Sequence, residues 1–509
     1  MRVSVRALWA SIQTMSLLML LSFGSVSFAQ NGANTGTFGG MGLGSGLGGG
    51  LGGGDPGAGP RGGGGAQADF DTLINLIQQT IEPDSWLQNG GTNTILPYPS
   101  GVYVDPKGHM KRIRASEQLR DELFRKTSHL AHPWRTDSKL RTVSLKKLDQ
   151  ALQFSLQTGL SPTAELTKLA GLQKISYVKI DAENEDILIA GPAGDSVPGF
   201  ELQDLAVVAA LVNHNTNPLG CSIEPSNQGL VNAQEMLKGK AVLKQLARSP
   251  RQIVERMQDE IGPHKVHVFG MNSNTGTAIA LIDADEHMKK VGFGTVKTKL
   301  GINSYFDYLD RMGDKVPSQS LIRWWFAYAD EPIKISPSGN IFQLPEQCVA
   351  VLSEQQWVNR QGRAPTGGND PAADAFAKGM TAKLDGLRKT HASYSRLSAV
   401  FELSLALQLA CDRTGQPSLE AWLPNLCYIG KQAPPENPQP KTVEGLTTWH
   451  KMKNGTIVAV VSGGVKVDSR SITSQENLEP SKFLASSVVP NLPEEPNVAH
   501  AKWWWDGDR

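Results

Sequence analysis

Asp283, Asp285, Glu286 and His287 form the densest polar cluster within an apolar stretch of this chain. Carboxylates beside an imidazole can hold a divalent cation, or serve as acid and base in a hydrolytic reaction. The apolar run 277–282 before them is expected as a strand, which would put the cluster at a strand end. The simpler alternative is favoured: Asp283 and Asp285 cap a short helix carrying His287, Met288 and Lys289, with no chemistry attached. Asp283, Asp285 and His287 are therefore the trio an enzymatic reading would use.

Other polar groupings are weaker. His129 with His132, and His264 with His267, share an i, i+3 spacing, but Pro133 and Pro263 interrupt both neighbourhoods. In a strand, that odd spacing sends the two rings to opposite faces. His214, among Asn213, Asn215 and Asn217, is expected to be a loop or cap residue. Neither H-E-x-x-H, a G-x-S-x-G elbow nor a Walker A sequence occurs. A G-x-G-x-x-G match at Gly44, Gly46 and Gly49 has no strand before it and no helix after it, so it is set aside as a dinucleotide site. No catalytic residue is assigned, and neither a cofactor nor a metal is expected.

Aromatic residues offer binding rather than catalysis. In the run Trp324-Trp325-Phe326, neighbours on a strand face opposite sides, so core packing accounts for at least one tryptophan. Trp503-Trp504-Trp505 close a polar tail with no core of their own, and are expected to dock onto the body or onto a partner. Cys221, Cys348, Cys411 and Cys427 allow three disulfide pairings. Cys411 with Cys427 is the candidate local pair, weighed evenly against buried free thiols.

The elements that must carry these groups read as α+β. A small helix-hairpin module is expected at 69–110, with helical spacing in Phe70, Leu73, Ile74 and Ile77. Strand 142–145, helices 148–157 and 163–170, and a hairpin at 175–190 precede a mostly apolar helix at 202–212. A helix at 251–261 and strands at 265–269 and 277–282 repeat the theme, suggesting two related units, 141–240 and 241–360, within a main region 111–430. Strands follow in 323–352. One long helix is expected from an Asp370 cap and Pro371 to just before Gly415, with Phe376, Met380, Leu384, Leu387, His391 and Tyr394 as its stripe. A Pro-rich linker (431–445), a hairpin unit (446–475) and a tail (476–509) complete the chain.

The totals narrow the class. Lys+Arg 50 against Asp+Glu 49 provides no field to attract nucleic acid. Arg2, Arg6, an apolar run ending near Phe23 and the small-residue site Ser27-Phe28-Ala29 compose a secretory signal, with cleavage expected after Ala29. Retention as an N-terminal anchor is the second option. After Ala29 no apolar run approaches the ~20 residues needed to span a bilayer. Residues 30–68, dominated by glycine from 39 to 65, read as a disordered tether.

Three segments carry a resemblance: 321–352 with its Arg323-Trp324-Trp325-Phe326 strand, Ala284 through Gly292, and Gly101-Val102-Tyr103-Val104-Asp105. They resemble a planctomycete family of exported proteins known as a domain of unknown function. Residues 70–101 are similar to a segment recurring in secreted planctomycete proteins. The likeness spans about Asp69 to Val467. Glu286-His287 departs from it, standing where the family pattern has an aromatic residue before Met. The family supplies no activity and no site residues. The sequence thus reads as an exported, non-enzymatic binding or scaffolding protein of the periplasm or cell envelope, with a protein or envelope component as partner. The alternative is a metal-dependent or hydrolytic enzyme using Asp283, Asp285 and His287.

Overall fold

The computed structural model describes residues 102–104, 107–112, 133–159, 161–212, 218–312, 321–359, 362–365, 370–432, 439–452, 455–489, 492 and 504–506. The expected signal, the glycine-rich 30–68, the helix of 69–81, His129, His132, His214 and Trp503 lie outside them.

In chain order, β1 (Val102–Val104) and β2 (His109–Arg112) form a hairpin. β3 (Ser138–Ser144) runs directly into α1 (Leu145–Thr158). Ser144 caps this helix by accepting the Lys147 N–H, and Gly159 ends it at φ 68°. The one-turn α2 (Ala164–Thr167) leads to the expected hairpin, β4 (Tyr177–Asp181) with β5 (Asp186–Ala193), then to α3 (Leu202–Leu211). β6 (Leu219–Glu224), α4 (Asn227–Leu237), α5 (Lys240–Arg248), α6 (Pro250–Ile261) and β7 (His264–Phe269) follow, then α7 (Gly276–Gly292) and α8 (Tyr305–Met312). Next come β8 (Leu321–Tyr328), β9 (Ile333–Ile335), β10 (Ile341–Gln343), β11 (Val349–Asn359) and β12 (Gly362–Pro365). The helices α9 (Pro371–Thr381), α10 (Leu384–Thr390), α11 (Ala392–Thr414) and α12 (Pro424–Lys431) precede β13 (Thr442–Val443), β14 (Thr447–Met452), β15 (Gly455–Val467), α13 (Ser469–Ile472) and β16 (Leu478–Pro480).

The strands make two mixed sheets. A ten-stranded sheet has the order β1-β2-β13-β7-β6-β15-β8-β11-β12, with β14 on β15, and a six-stranded sheet has the order β16-β9-β10-β4-β5-β3. The fold is α+β. β15 enters between β6 and β8, antiparallel to one and parallel to the other. Gly463 makes that insertion possible, because a Cβ there would run into the Trp324 carbonyl. β6 and β7 pair although three helices separate them in the chain. α11 is buried from Ser393 through Cys411 and touches β4 and β5 of one sheet and β15 of the other. A helix buried on every side needs such a two-sided position, and its Arg396 and Glu402 find Asp204 and Arg388 there.

Two expectations need correction, and the even choice between a Cys411–Cys427 disulfide and buried free thiols falls to the thiols. Residues 277–282 are not a strand but the first turns of α7, which Thr275 caps by accepting the Ala278 N–H. The run Thr277-Ala278-Ile279-Ala280-Leu281-Ile282 is buried throughout, and full burial erases the period that tells helix from strand. The single long helix after Asp370 is three helices, α9 to α11. Thr381 Oγ1 donates to the Ala377 carbonyl (2.8 Å) and Thr390 Oγ1 to that of Gly386 (3.2 Å), a side-chain competition that bends helices at their ends. The Asp370 cap, Pro371 start and Gly415 stop stand as expected. Cys411 and Cys427 form no disulfide. All four cysteines are buried free thiols, and burial pushes Cys411 and Cys427 each up to about 12.

The tail folds back as a strap. β16 adds to β9 at one edge of the six-stranded sheet. Leu484, Val489 and Leu492 then pack on Leu188, Ala190 and Ile341. Residues 504–506 meet β3 at the opposite edge. Among the described residues no helix is long and apolar enough to cross a membrane.

Candidate functional site

The helix α7 holds the whole acid and histidine cluster, but it spreads the members around its axis. Residues advance about 100° each along a helix. Asp285 points to the ten-stranded sheet, where Lys289, one turn on, places its Nζ 2.5 Å from Asp285 Oδ2 and donates to the Ile223 carbonyl at 3.2 Å. Cys221 lies close enough for both charges to act on its thiol. Glu286 instead pairs with Lys290 at 2.5 Å. His287 turns toward α11, its Nδ1 2.9 Å from the Tyr394 hydroxyl and its ring 5.0 Å from that of His391.

All of these α7 side chains but Lys290 are sealed. Asp283 is 1 % exposed, Asp285 0 %, His287 4 % and Lys289 1 %. Burial raises Asp285 above the ordinary carboxylate range, and the Lys289 ammonium only partly offsets it. Glu286 is raised by burial as well, with Lys290 pulling the other way. Asp283 and Asp285 are not helix caps, since Thr275 does that work two turns earlier. Among the described residues no three His, Cys, Asp or Glu side chains gather as a metal-holding group. The trio forms no shared constellation facing solvent.

His264 and His267 part as their spacing predicts. His264 is buried on the α7 side, and burial with the nearby Lys289 and Arg363 charges lowers it to about 3. His267 is exposed on the other side.

Sequence reasoning missed a polar row on that other face. Trp324 and Phe326 point to the helices, and Trp324 packs on Phe376 with ring centroids 4.4 Å apart. Arg323 and Trp325 alternate outward, and the Arg323 guanidinium lies 4.9 Å from the centre of the Trp325 ring. Across the strands Ser462 faces Arg323, and Arg323 faces Glu354 with an ion contact of 3.5 Å. Arg363 on β12 pairs with Glu224 on β6. Those strands are four positions apart, about 19 Å on a flat sheet at roughly 4.8 Å per strand, beyond what two side chains span. The β12 end of the sheet therefore curls toward β6 on this face, where Leu321, Val458 and Val460 also pack against α4 and α6.

The row is only partly satisfied. Arg323 Nε, Arg363 Nη1, Gln356 Oε1 and Ser462 Oγ are buried atoms with no hydrogen-bond partner among the described residues. Ser462 is 0 % exposed, whereas the Arg323 side chain is 30 % exposed and the Glu354 side chain 26 %. Buried donors and acceptors left open in this way await a ligand, a partner or ordered water. The sequence signal was the outward alternation of β8 alone; the other contributors come from four distant strands.

Residues 221–305 match a family model described as a protein of unknown function (DUF1598). The match runs from Cys221 in β6 to Tyr305 in α8, so it contains Glu224, Asp285 and Lys289. No curated protein and no solved structure matches the chain. What the comparisons establish is that this chain carries a DUF1598 segment between β6 and α8.

Proposed function

We propose that the chain is an exported, non-enzymatic binding or scaffolding protein of the periplasm or cell envelope, held on the glycine-rich 30–68 tether. The observation that carries this reading is a contrast between two polar groupings. The groups suited to catalysis, Asp283, Asp285 and His287, are sealed in helix-sheet and helix-helix contacts. The charged groups that keep partial access to solvent, Arg323, Glu354 and Arg363, line the curled sheet instead. Paired charges beside the Trp325 ring suit a polar protein or envelope component. The expected secretory signal places such a partner outside the cytoplasm.

Crosslinking in the envelope followed by mass spectrometry tests the reading. Lysine-independent, photoreactive residues placed at 325 and 352 should capture a recurrent partner, and Arg323→Ala should reduce that capture. Unchanged capture in Arg323→Ala, together with stoichiometric metal that is lost from Asp283→Asn, would overturn it in favour of the enzymatic alternative.

A further inference from the structure

The edge of the six-stranded sheet at β3 is closed by residues 504–506 of the same chain. Ser144 N–H donates to the Trp504 carbonyl (2.9 Å), and Asp506 N–H donates to that of Thr142 (3.1 Å). Thr142 N–H donates to Asp506 Oδ1 (2.9 Å), which fixes the register, and Val143 faces Trp505 as an antiparallel bridge. The Trp505 ring is 1 % exposed. Its indole N–H donates to the Glu165 carboxylate, and the Arg141 guanidinium stacks 4.6 Å from a ring centroid.

Arg141 and Glu165 are also anchored by parts of the chain other than the segment that fills the pocket. Arg141 is held by the carbonyls of Trp134 and Ala170, each at 2.6 Å, and of Thr136 at 3.1 Å. Glu165 sits in the first turn of α2, which Thr163 caps. A preformed cation over a ring, a carboxylate for the indole N–H and an open strand edge are the parts of a strand-addition peptide site. The occupant supplies one aromatic anchor, Trp505, and one acid at the next residue, Asp506.

We propose that the β3 edge with Arg141 and Glu165 is a recognition site for an extended Trp-Trp-Asp segment, self-occupied by residues 504–506. A segment of the same sequence offered in trans, as from a second copy of this chain, takes the site once the tethered one is removed. The site is distinct from the curled face proposed above, and its failure would leave that reading standing.

The test uses the full chain carrying Trp505→Ala with Asp506→Ala, which removes the aromatic anchor and the acid while keeping Arg141 and Glu165. The probe is a fluorescent peptide of residues 501–509, read by anisotropy. The variant should bind it at least about tenfold more tightly than the wild-type chain, whose tethered copy competes at an effective concentration near millimolar. Adding Glu165→Ala to the variant, or changing the peptide tryptophan equivalent to Trp505 to alanine, should remove that gain. Equal binding to both chains, or none to a variant with unchanged circular dichroism, overturns the proposal. Should the variant not fold, a photoreactive peptide at millimolar concentration on the wild-type chain decides: labelling at 141–144 and 165 supports the site, and labelling elsewhere or nowhere overturns it.

Discussion

Lys289 and Asp285 meet at 2.5 Å, one turn apart on α7, and neither reaches solvent. Such a pair costs much to desolvate, so it adds little net stability, yet breaking it strands a charge in the core. Lys289→Met alone should therefore cost about 3–5 kcal/mol. Lys289→Met with Asp285→Leu should recover most of that loss. Urea unfolding of the two variants checks this, and a double variant as unstable as the single one would contradict it.

His264 makes stability depend on pH with a definite sign. Its folded value is about 3 against an ordinary 6.5, because burial, Lys289 and Arg363 all oppose its charge. The unfolded chain takes up the proton near 6.5 and the folded chain only near 3, so stability falls as pH drops through that window. The slope is about 1.4 kcal/mol per pH unit. Asp285 and Glu402, raised by burial, work in the opposite direction. The readout is therefore wild type minus His264→Leu. That difference should shrink from pH 7 to pH 4; parallel curves would refute the assignment.

Local signals in the sequence were legible where they concern one element. Pro371 behind an Asp370 cap, Gly415 at φ 68°, the apolar α3 and the β4–β5 hairpin all depend on neighbours within a few residues. That Trp324 and Trp325 face opposite sides follows from strand alternation alone; which of them is inward does not. Failures came where burial removed the pattern or distance removed the link. Residues 277–282 are enclosed on all sides, so helix and strand look alike there. Ser462, Arg323, Glu354, Arg363 and Glu224 become neighbours only through the strand order β6-β15-β8-β11-β12, which no local pattern encodes. The same holds for Trp505 and Arg141, at opposite ends of the described chain.

Asp149 on α1 caps a helix far away in sequence. Its carboxylate accepts the Leu426 N–H at 2.7 Å and the Asn425 side-chain amide at 2.8 Å, at the start of α12. Removing it leaves donors at a buried helix end unsatisfied. Asp149→Ala should cost about 1–3 kcal/mol, and Asp149→Asn less, because the amide oxygen still accepts. Thermal unfolding of both ranks them. Equal losses would mean that charge at the α12 N-terminus, rather than the hydrogen bonds, is what counts.

Gly430 fixes how closely α12 approaches α3. A Cβ there would run into the Ala206 carbonyl, with backbone on one side and the Ala210 methyl on the other, so no flexible side chain can yield. At Gly415 the surroundings are open, and only the left-handed backbone, φ 68°, disfavours a side chain. Gly415→Ala should therefore cost about 1 kcal/mol. Gly430→Ala should exceed it by about 1–3 kcal/mol, as overpacking in a close-packed core does. It should also loosen the Cys427 Sγ contact to the Ala209 carbonyl, now 3.3 Å, and so speed thiol labelling of Cys427. A Gly430→Ala chain with wild-type stability and unchanged Cys427 labelling would show that the two helices can separate at no cost.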